Sequence, residues 1–171
     1  MDALRKLWLL FIVKTLLVSF IFFFGGTVDA EEKIMIGGVE EVILLPWGIQ
    51  VPARIDTGAA TSSLDVCEIK KMGGKEIEFR LPERCGGNKV RMPVVAWRII
   101  QSTEGKAERR PVVEMELCLG AKRLRTQVTL NDRSRMEYPL LIGRRVLEKN
   151  FIVDVSRSKI LPPRCPEGST P

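Results

Sequence analysis

The sequence predicts an all-β domain in which short strands close into a small barrel. From Lys33 onward, β-branched apolar segments of strand length alternate with turns containing glycine, proline and polar residues. Between Val113 and Leu119 the apolar residues occupy every second position, which is typical of a strand with one buried face. Many short strands at such regular spacing favour a barrel. One short helix is expected near the C-terminus, after Gly143.

The predicted strands leave one long hairpin in the middle of the chain. A polar segment at 101–106 separates an apolar run at 90–100 from an alternating run at 110–119, and this pattern predicts two antiparallel strands joined at a tip. The other predicted strands are residues 33–36, 41–45, 49–55, 63–69, 76–81 and 124–130.

The N-terminus has the features of a secretory signal peptide. Arg5 and Lys6 precede an apolar stretch at 7–24, and the small residues Val28 and Ala30 have the spacing that signal peptidase recognises. We expect cleavage after Ala30, and the alternative is an uncleaved membrane anchor. Either reading predicts a periplasmic or secreted domain, or one anchored to the inner membrane and lying outside the cytoplasm.

The remaining length fits one domain. We expect a folded domain at 31–161 and a flexible C-terminal tail at 162–171.

Composition excludes several classes of protein. The chain has no histidine, which excludes His-dependent hydrolases and His-ligated metals. The segment Gly73-Gly74-Lys75-Glu76 lacks the upstream glycine and the hydroxyl of a nucleotide-binding loop. The net charge of +6 comes without a dense basic run, so no nucleic acid partner is expected. No metal and no cofactor are predicted.

Four cysteines are compatible with an oxidising compartment: Cys67, Cys85, Cys118 and Cys165. None of them forms a Cys-x-x-Cys motif. Cys67 and Cys85 flank a polar loop and could bridge it, but the sequence allows three pairings. Cys118 lies in an apolar alternating run, where a buried free thiol is also possible.

The candidate site begins at Asp56-Thr57-Gly58, directly after the predicted strand at 49–55. Asp and Gly are poor strand residues, so their position marks either a tight turn or a site. Alone, the motif favours a turn. A second segment, Leu141-Ile142-Gly143, lies far along the chain and ends an apolar strand in a glycine.

Together these two segments resemble the layout of a retropepsin, the half-sized aspartic peptidase. In that layout the distal apolar segment supports the Asp-Thr-Gly loop, and a flap hairpin lies between the two. Segments at 55–64, 109–113, 129–136, 141–147 and 154–158 together resemble a bacterial retropepsin-like family often labelled as an ATP-dependent zinc protease. The resemblance spans about 33–160, although this sequence has neither a zinc-ligand cluster nor a nucleotide loop.

The resemblance implies an aspartic peptidase in which Asp56, Thr57 and Gly58 are catalytic. Since the chain has one such motif, the second carboxylate would come from another copy, in a symmetric homodimer. The alternatives are a catalytically silent binding module of the cell envelope and a membrane-tethered accessory protein. The implied supporting residues are Ala59, Leu141, Ile142, Gly143 and Arg144, and the implied flap tip is Ser102, Thr103, Glu104 and Gly105.

The substrate implied is a peptide or protein, and acidic sequences would suit the arginines near the motifs. These are Arg109, Arg110, Arg133, Arg144 and Arg145, each of which could equally be ordinary surface charge. In retroviral enzymes an aspartate at the position of Ala60 pairs with the arginine that follows the distal glycine. We therefore expect Arg144 to have another partner here.

Overall fold

The structure is a computed structural model, and it describes Arg5, Trp8 and residues 32–101 and 107–165. The chain divides between Glu32 and Lys33, and the account below concerns the second unit. Within these residues no helix is long and apolar enough to span a bilayer. Apart from Arg5 and Trp8, the predicted signal peptide at 1–30 lies outside the described residues, and so does the predicted flap tip, Ser102 to Gly105.

The described residues of the second unit form eleven strands, one short α-helix and a 3-10 turn at Glu83–Cys85. The α-helix, α1, is Arg144–Asn150 and follows Gly143. The strands are β1 (Ile34–Gly37), β2 (Val39–Leu45), β3 (Ile49–Ile55), β4 (Ser62–Asp65), β5 (Cys67–Lys71), β6 (Glu76–Arg80), β7 (Lys89–Gln101), β8 (Ala107–Leu119), β9 (Lys122–Asn131), β10 (Leu140–Ile142) and β11 (Phe151–Asp154).

Six of the strands close into a barrel, as the sequence predicts. They follow the order β2–β3–β10–β4–β9–β8, and the ring closes where β8 pairs with β2 from Leu119↔Val42 to Glu116↔Leu45. Strands β7, β6 and β5 extend the sheet beyond β8. The prediction of a small closed β-barrel with one short C-terminal helix is therefore confirmed.

The barrel interior contains the apolar side chains of the alternating strands. In β8, Met115 and Leu117 are buried in the core while Glu114 and Glu116 lie toward solvent, as the alternation predicts. Cys118 departs from the pattern because it is buried on the opposite face, where it forms a disulfide with Cys165.

The cysteine pairing resolves the alternatives that the sequence left open. Cys118 and Cys165 are joined across a sequence separation of 47 residues. Cys67 and Cys85 are free thiols, so the bridge across the 67–85 loop is not formed. Cys67 is exposed and its thiol donates to the carbonyl of Arg80, whereas Cys85 is buried, and burial raises its pKa to about 11.

One predicted strand is interrupted. The segment at 63–69 was expected to be continuous, but it divides into β4 and β5, which belong to different parts of the sheet. The break lies at Val66, whose N–H donates to the carbonyl of Asn131 at the end of the β4–β9 ladder, before the chain moves on to pair with β6. Glu68 has a positive φ of 53°, and the register of β5 shifts there. Side-chain alternation alone does not reveal such a break.

The two ends of the domain pair with each other in a small sheet of their own. Strand β1 runs parallel to β11, from Ile34↔Phe151 to Gly37↔Asp154. Glu40 is fully buried behind this sheet, and its carboxylate accepts the N–H groups of Gly37, Ile160 and Leu161. Because a buried carboxylate needs such donors, Glu40 fixes the C-terminal segment against the start of β2.

Candidate active site

The loop at 56–61, termed here the Asp56 loop, begins where β3 ends. Strand β10 runs parallel to β3 with Ile55 opposite Ile142, and the N–H of Asp56 donates to the carbonyl of Ile142 at 2.9 Å. The structure therefore places the distal apolar segment directly beside the Asp-Thr-Gly motif. Leu141 continues the pairing on both sides, opposite Arg54 in β3 and Ser63 in β4.

The carboxylate of Asp56 is held on one side by backbone donors. Its Oδ1 accepts the N–H of Gly58 at 2.8 Å and that of Ala59 at 3.1 Å. Its Oδ2 has no donor among the residues that the structure describes. Asp56 itself is half-buried, whereas Thr57 and Gly58 are exposed. One carboxylate oxygen is thus fixed and the other is available to a molecule outside this chain.

Gly58 and Gly143 both lie where a side chain would crowd the loop. A Cβ on Gly58 would lie 3.1 Å from Oδ1 of Asp56. A Cβ on Gly143 would lie 2.7 Å from the carbonyl carbon of Thr61 and 2.9 Å from the carbonyl oxygen of Ala59. The second contact is with backbone, which cannot rotate away, so the distal glycine permits the close approach of β10 to the Asp56 loop.

Arg144 caps the Asp56 loop by binding carbonyl oxygens of the loop and not a side-chain carboxylate. Its Nη1 donates to the carbonyl oxygens of Thr57 at 3.0 Å and Gly58 at 2.7 Å. Its backbone N–H donates to the carbonyl of Ala59 at 2.8 Å. With Ala60 at the position of the retroviral aspartate, Arg144 therefore binds main-chain oxygens instead of a carboxylate of the loop.

The central hairpin consists of β7 and β8, which pair from Val94↔Val113 to Gln101↔Ala107. Its predicted tip lies outside the described residues, so the assignment of Ser102 to Gly105 as a flap tip stays a prediction.

The five arginines singled out in the sequence have different surroundings. Arg109 lies over the ring of Trp97 at 4.7 Å, and Arg110 pairs with Glu108. Arg145 donates to Oε1 of Gln127 at 2.9 Å. Arg144 caps the Asp56 loop, as described above.

Arg133, the fifth, is half-buried close to acidic and basic groups. Its Nε is buried and has no hydrogen-bond partner in the described part of the chain. Burial lowers its pKa, and the charges acting on it include Asp65, Arg110 and Asp56.

Arg98, on β7, was not singled out from the sequence. Its Nη1 donates to Oγ1 of Thr61 at 2.9 Å, and its Nη2 donates to Oε1 of Gln127 at 3.3 Å. It therefore links the hairpin to the end of the Asp56 loop. The only signal in the sequence was a basic residue inside a largely apolar run.

A second buried carboxylate, Asp65, lies at the far end of β4 and is fully engaged. It forms a salt bridge with Arg84, and its Oδ1 accepts the N–H of Arg133 at 2.6 Å. Arg84 also donates to the carbonyls of Arg133 and Met136, at 2.9 Å each. Asp65 thus fixes the 131–136 loop and, since its oxygens are occupied, has a structural role. Across residues 32–101 and 107–165, the His, Cys, Asp and Glu side chains form no group of three or more suited to a metal ion.

A closed barrel with an Asp-Thr-Gly loop, supported by an apolar segment ending in glycine, defines the retropepsin-like class of fold. The comparisons with known proteins agree with this. Residues 35–164 match the RimB-like family, described as retropepsin-like aspartic endopeptidase RimB, and the chain belongs to that family.

Similar proteins come from several bacteria. A probable alpha-L-glutamate ligase of Shewanella pealeana is 31% identical over 137 residues, covering 75% of this chain and 30% of that protein. A protein of the same name from Parasynechococcus marenigrum is 33% identical over 130 residues, covering 71% of this chain and 28% of that protein. The chain therefore spans less than a third of these relatives.

A solved structure has the same fold. The crystal structure of a Legionella pneumophila protein of unknown function superposes with a TM-score of 0.66 at 28% identity. The match covers 75% of this chain and 98% of that one.

Proposed function

We propose that this protein is an extracytoplasmic aspartic endopeptidase in which Asp56 acts together with Asp56 of a second copy. The observation that carries the proposal is the state of the Asp56 carboxylate: Gly58 and Ala59 fix Oδ1, while Oδ2 has no donor in the described part of the chain. An aspartic peptidase needs this arrangement twice, and the chain contains one Asp-Thr-Gly.

The chemistry follows from placing two such carboxylates together. Two carboxylates within hydrogen-bond distance cannot both be ionised, so the pair shares one proton. The ionised member takes a proton from a water molecule, which attacks the carbonyl carbon of the peptide bond. The protonated member donates to the carbonyl oxygen, which gives a tetrahedral diol. The dyad then returns a proton to the amide nitrogen and takes one from a diol hydroxyl as the C–N bond breaks, so that an amine and a carboxylic acid leave and the dyad again holds one proton. The backbone donors of the Asp56 loop hold each carboxylate in position without needing a metal or cofactor.

The terminal sheet supports pairing of two copies. Met35 and Ile152 are opposite each other in the β1–β11 register and are 48% and 54% exposed, and Val155 beyond them is 84% exposed. The sheet that carries this surface is linked to the strand leading into the Asp56 loop, because the carbonyl of Gly38, directly after β1, accepts the N–H of Ile55 at 3.0 Å. Burial of this surface against a second copy would bring two Asp56 loops together.

An acidic substrate rich in glutamate is the proposed substrate class. The net charge is +6, and the half-buried Arg133 lies within electrostatic range of Asp56. Several relatives are named for ligation of α-L-glutamate, and the matching region makes up 30% of the Shewanella pealeana protein. A peptidase domain acting on glutamyl peptides would be a suitable companion to such an activity.

The proposed location outside the cytoplasm has two supports. One is the signal-like sequence at 1–30. The other is the Cys118–Cys165 disulfide, since such bonds persist in oxidising compartments.

The test compares the purified protein with its Asp56→Asn variant on a peptide library that includes Glu-rich sequences. We expect the wild type to cleave and the variant to lose roughly 10²–10⁴-fold in rate, because an amide cannot exchange the proton. Asn keeps an oxygen that can accept from Gly58 and Ala59, so the thermal unfolding midpoint should change little. Equal cleavage by both proteins would refute the mechanism, and no cleavage by either at acidic or neutral pH would favour a catalytically silent binding module.

A further inference from the structure

Two arginines next to the Asp56 loop share a single neutral acceptor. Nη2 of Arg98, on the hairpin strand β7, and Nη1 of Arg145, on α1, both donate to Oε1 of Gln127, at 3.3 and 2.9 Å. The two nitrogens are therefore no more than about 6 Å apart, a separation at which like charges repel appreciably. A sheet and a helix thus bring two positively charged side chains together with no negatively charged group between them.

No acidic group in the described part of the chain compensates this pair. The ion pairs there leave Arg98 and Arg145 without a carboxylate within 4.0 Å. Across the ladder, Arg98 lies directly opposite another cation, Arg110, which is itself neutralised by Glu108. Like charges held close together repel, so the pair formed by Arg98 and Arg145 costs stability unless an anion binds there.

The two arginines lie beside the C-terminal end of the Asp56 loop. Arg98 bonds to Thr61, and the N–H of Arg145 faces the carbonyl of Ala60 at 3.4 Å. Thr61 is at most about 18 Å from Asp56 even along a fully extended chain. An extended peptide advances about 3.3 Å per residue, so Thr61, to which Arg98 bonds, lies within about five residues of a bond cleaved at Asp56.

We infer that Arg98 and Arg145 form a carboxylate-binding subsite for a glutamyl side chain of the substrate, with Gln127 holding the two guanidinium groups in place. This inference rests on the proposed function for its ligand. Each guanidinium has five N–H donors, and most of these stay unused by the protein contacts above. A carboxylate between them accepts from both, in the geometry that makes Arg–carboxylate hydrogen bonds strong. The subsite selects acidic sequences at a position away from the cleaved bond.

The experiment measures peptide binding in the Asp56→Asn background, so that it does not depend on catalysis. The probe is a fluorescent Glu-rich decapeptide, compared by anisotropy with the same peptide carrying Gln in place of Glu. Arg98→Gln and Arg145→Gln should each weaken binding of the Glu peptide by about tenfold and leave the Gln peptide within about twofold. Arg98→Lys should recover part of the loss, and added salt should reduce the preference for Glu.

Arg123→Gln is the matched control, because Arg123 lies on β9 like Gln127 but is already paired with Glu116. It should leave both peptides unaffected. Thermal unfolding of each variant reports any loss of folding separately. An equal loss for both peptides, or no preference for Glu in the parent protein, overturns the subsite.

Two further outcomes separate this inference from the proposed function. Binding of the Glu peptide through the pair, together with a wild type that cleaves nothing, upholds the subsite and removes the peptidase proposal. If both arginine variants cleave Glu peptides at the wild-type rate, the peptidase proposal is upheld and the subsite is overturned. A shift of the monomer–dimer equilibrium in Arg98→Gln or Arg145→Gln, measured by ultracentrifugation, would assign the missing anion to a second copy and overturn the substrate role.

Discussion

At the scale of single residues, the Asp56 loop is held mainly by hydrogen bonds to backbone groups. The carboxylate of Asp56 binds two N–H groups, and Arg144 binds two carbonyls of the same loop. Main-chain partners keep their positions when side chains change, which explains how Ala60 can replace an aspartate without loss of the arginine's role. The loop geometry therefore depends on close backbone approach more than on any one ion pair.

Gly143→Ala tests that dependence. The new Cβ would lie 2.7 Å from the carbonyl carbon of Thr61, and we expect the free energy of unfolding to fall by about 1–3 kcal/mol or more. Gly73→Ala is the matched control, since a Cβ there meets nothing within 4 Å, and its effect should stay within about 0.5 kcal/mol. Urea denaturation measures both. Similar stabilities for the two variants would show that β10 does not need this close approach.

At the scale of secondary-structure elements, the C-terminal segment is tied to the barrel at two points. Glu40 binds the N–H groups of Ile160 and Leu161, and Cys165 is bonded to Cys118 in β8. The residues predicted as a flexible tail from 162 are thus attached to the domain at Cys165. Hydrophobic patterning cannot reveal such a connection, because it joins an irregular segment to a strand through one covalent bond.

Removal of this disulfide should lower stability measurably. Cys165→Ser opens a loop with a sequence separation of 47 residues, and the free energy of unfolding should fall by about 3–4 kcal/mol, chiefly because the unfolded chain gains freedom. Cys67→Ser changes an exposed free thiol and should have almost no effect. In urea denaturation, a reducing agent should bring the wild type to the stability of Cys165→Ser. A wild type insensitive to reductant would show that the bond is not formed in solution.

At the scale of the whole molecule, the proposed active site is incomplete in a single chain. The β1–β11 sheet is linked through Gly38 to Ile55, directly before the Asp56 loop, so the proposed assembly and catalysis would use connected parts of the domain. A peptidase built in this way is inactive as a monomer, and its activity depends on protein concentration.

Mixing experiments test the shared site directly. Wild type mixed with a ninefold excess of Asp56→Asn, and allowed to exchange subunits, should retain about a tenth of its activity, because only that share of wild-type chains would pair with each other. A matched addition of Asp56→Asn carrying Met35→Asp and Ile152→Asp, which cannot bury the terminal sheet, should have little effect. Activity that stays constant in the first mixture would mean that each chain acts alone.

Periodicity and local motifs were sufficient for most of the architecture. Alternation in β8 and the turn residues between strands predict an all-β barrel, because side chains on successive residues of a strand point to opposite faces. The bounds of β3, Ile49–Ile55, agree with the prediction, since the turn at 46–48 and the Asp56 loop delimit this strand. The break at Val66 was not predicted, because the chain there changes from pairing with β9 to pairing with β6, and local alternation does not specify the partner strand.

Sequence patterns were enough to predict the fold class, the family resemblance, and the two segments, Asp56-Thr57-Gly58 and Leu141-Ile142-Gly143, that meet in the site. Local patterns carry that information, because each segment shows its strand and its glycine without reference to the other. The folded structure was needed to establish which cysteines pair, what Arg144 binds, and that Arg98 and Arg145 converge on Gln127. These contacts join residues far apart in the chain through side chains whose directions are set by packing, and no local pattern specifies them.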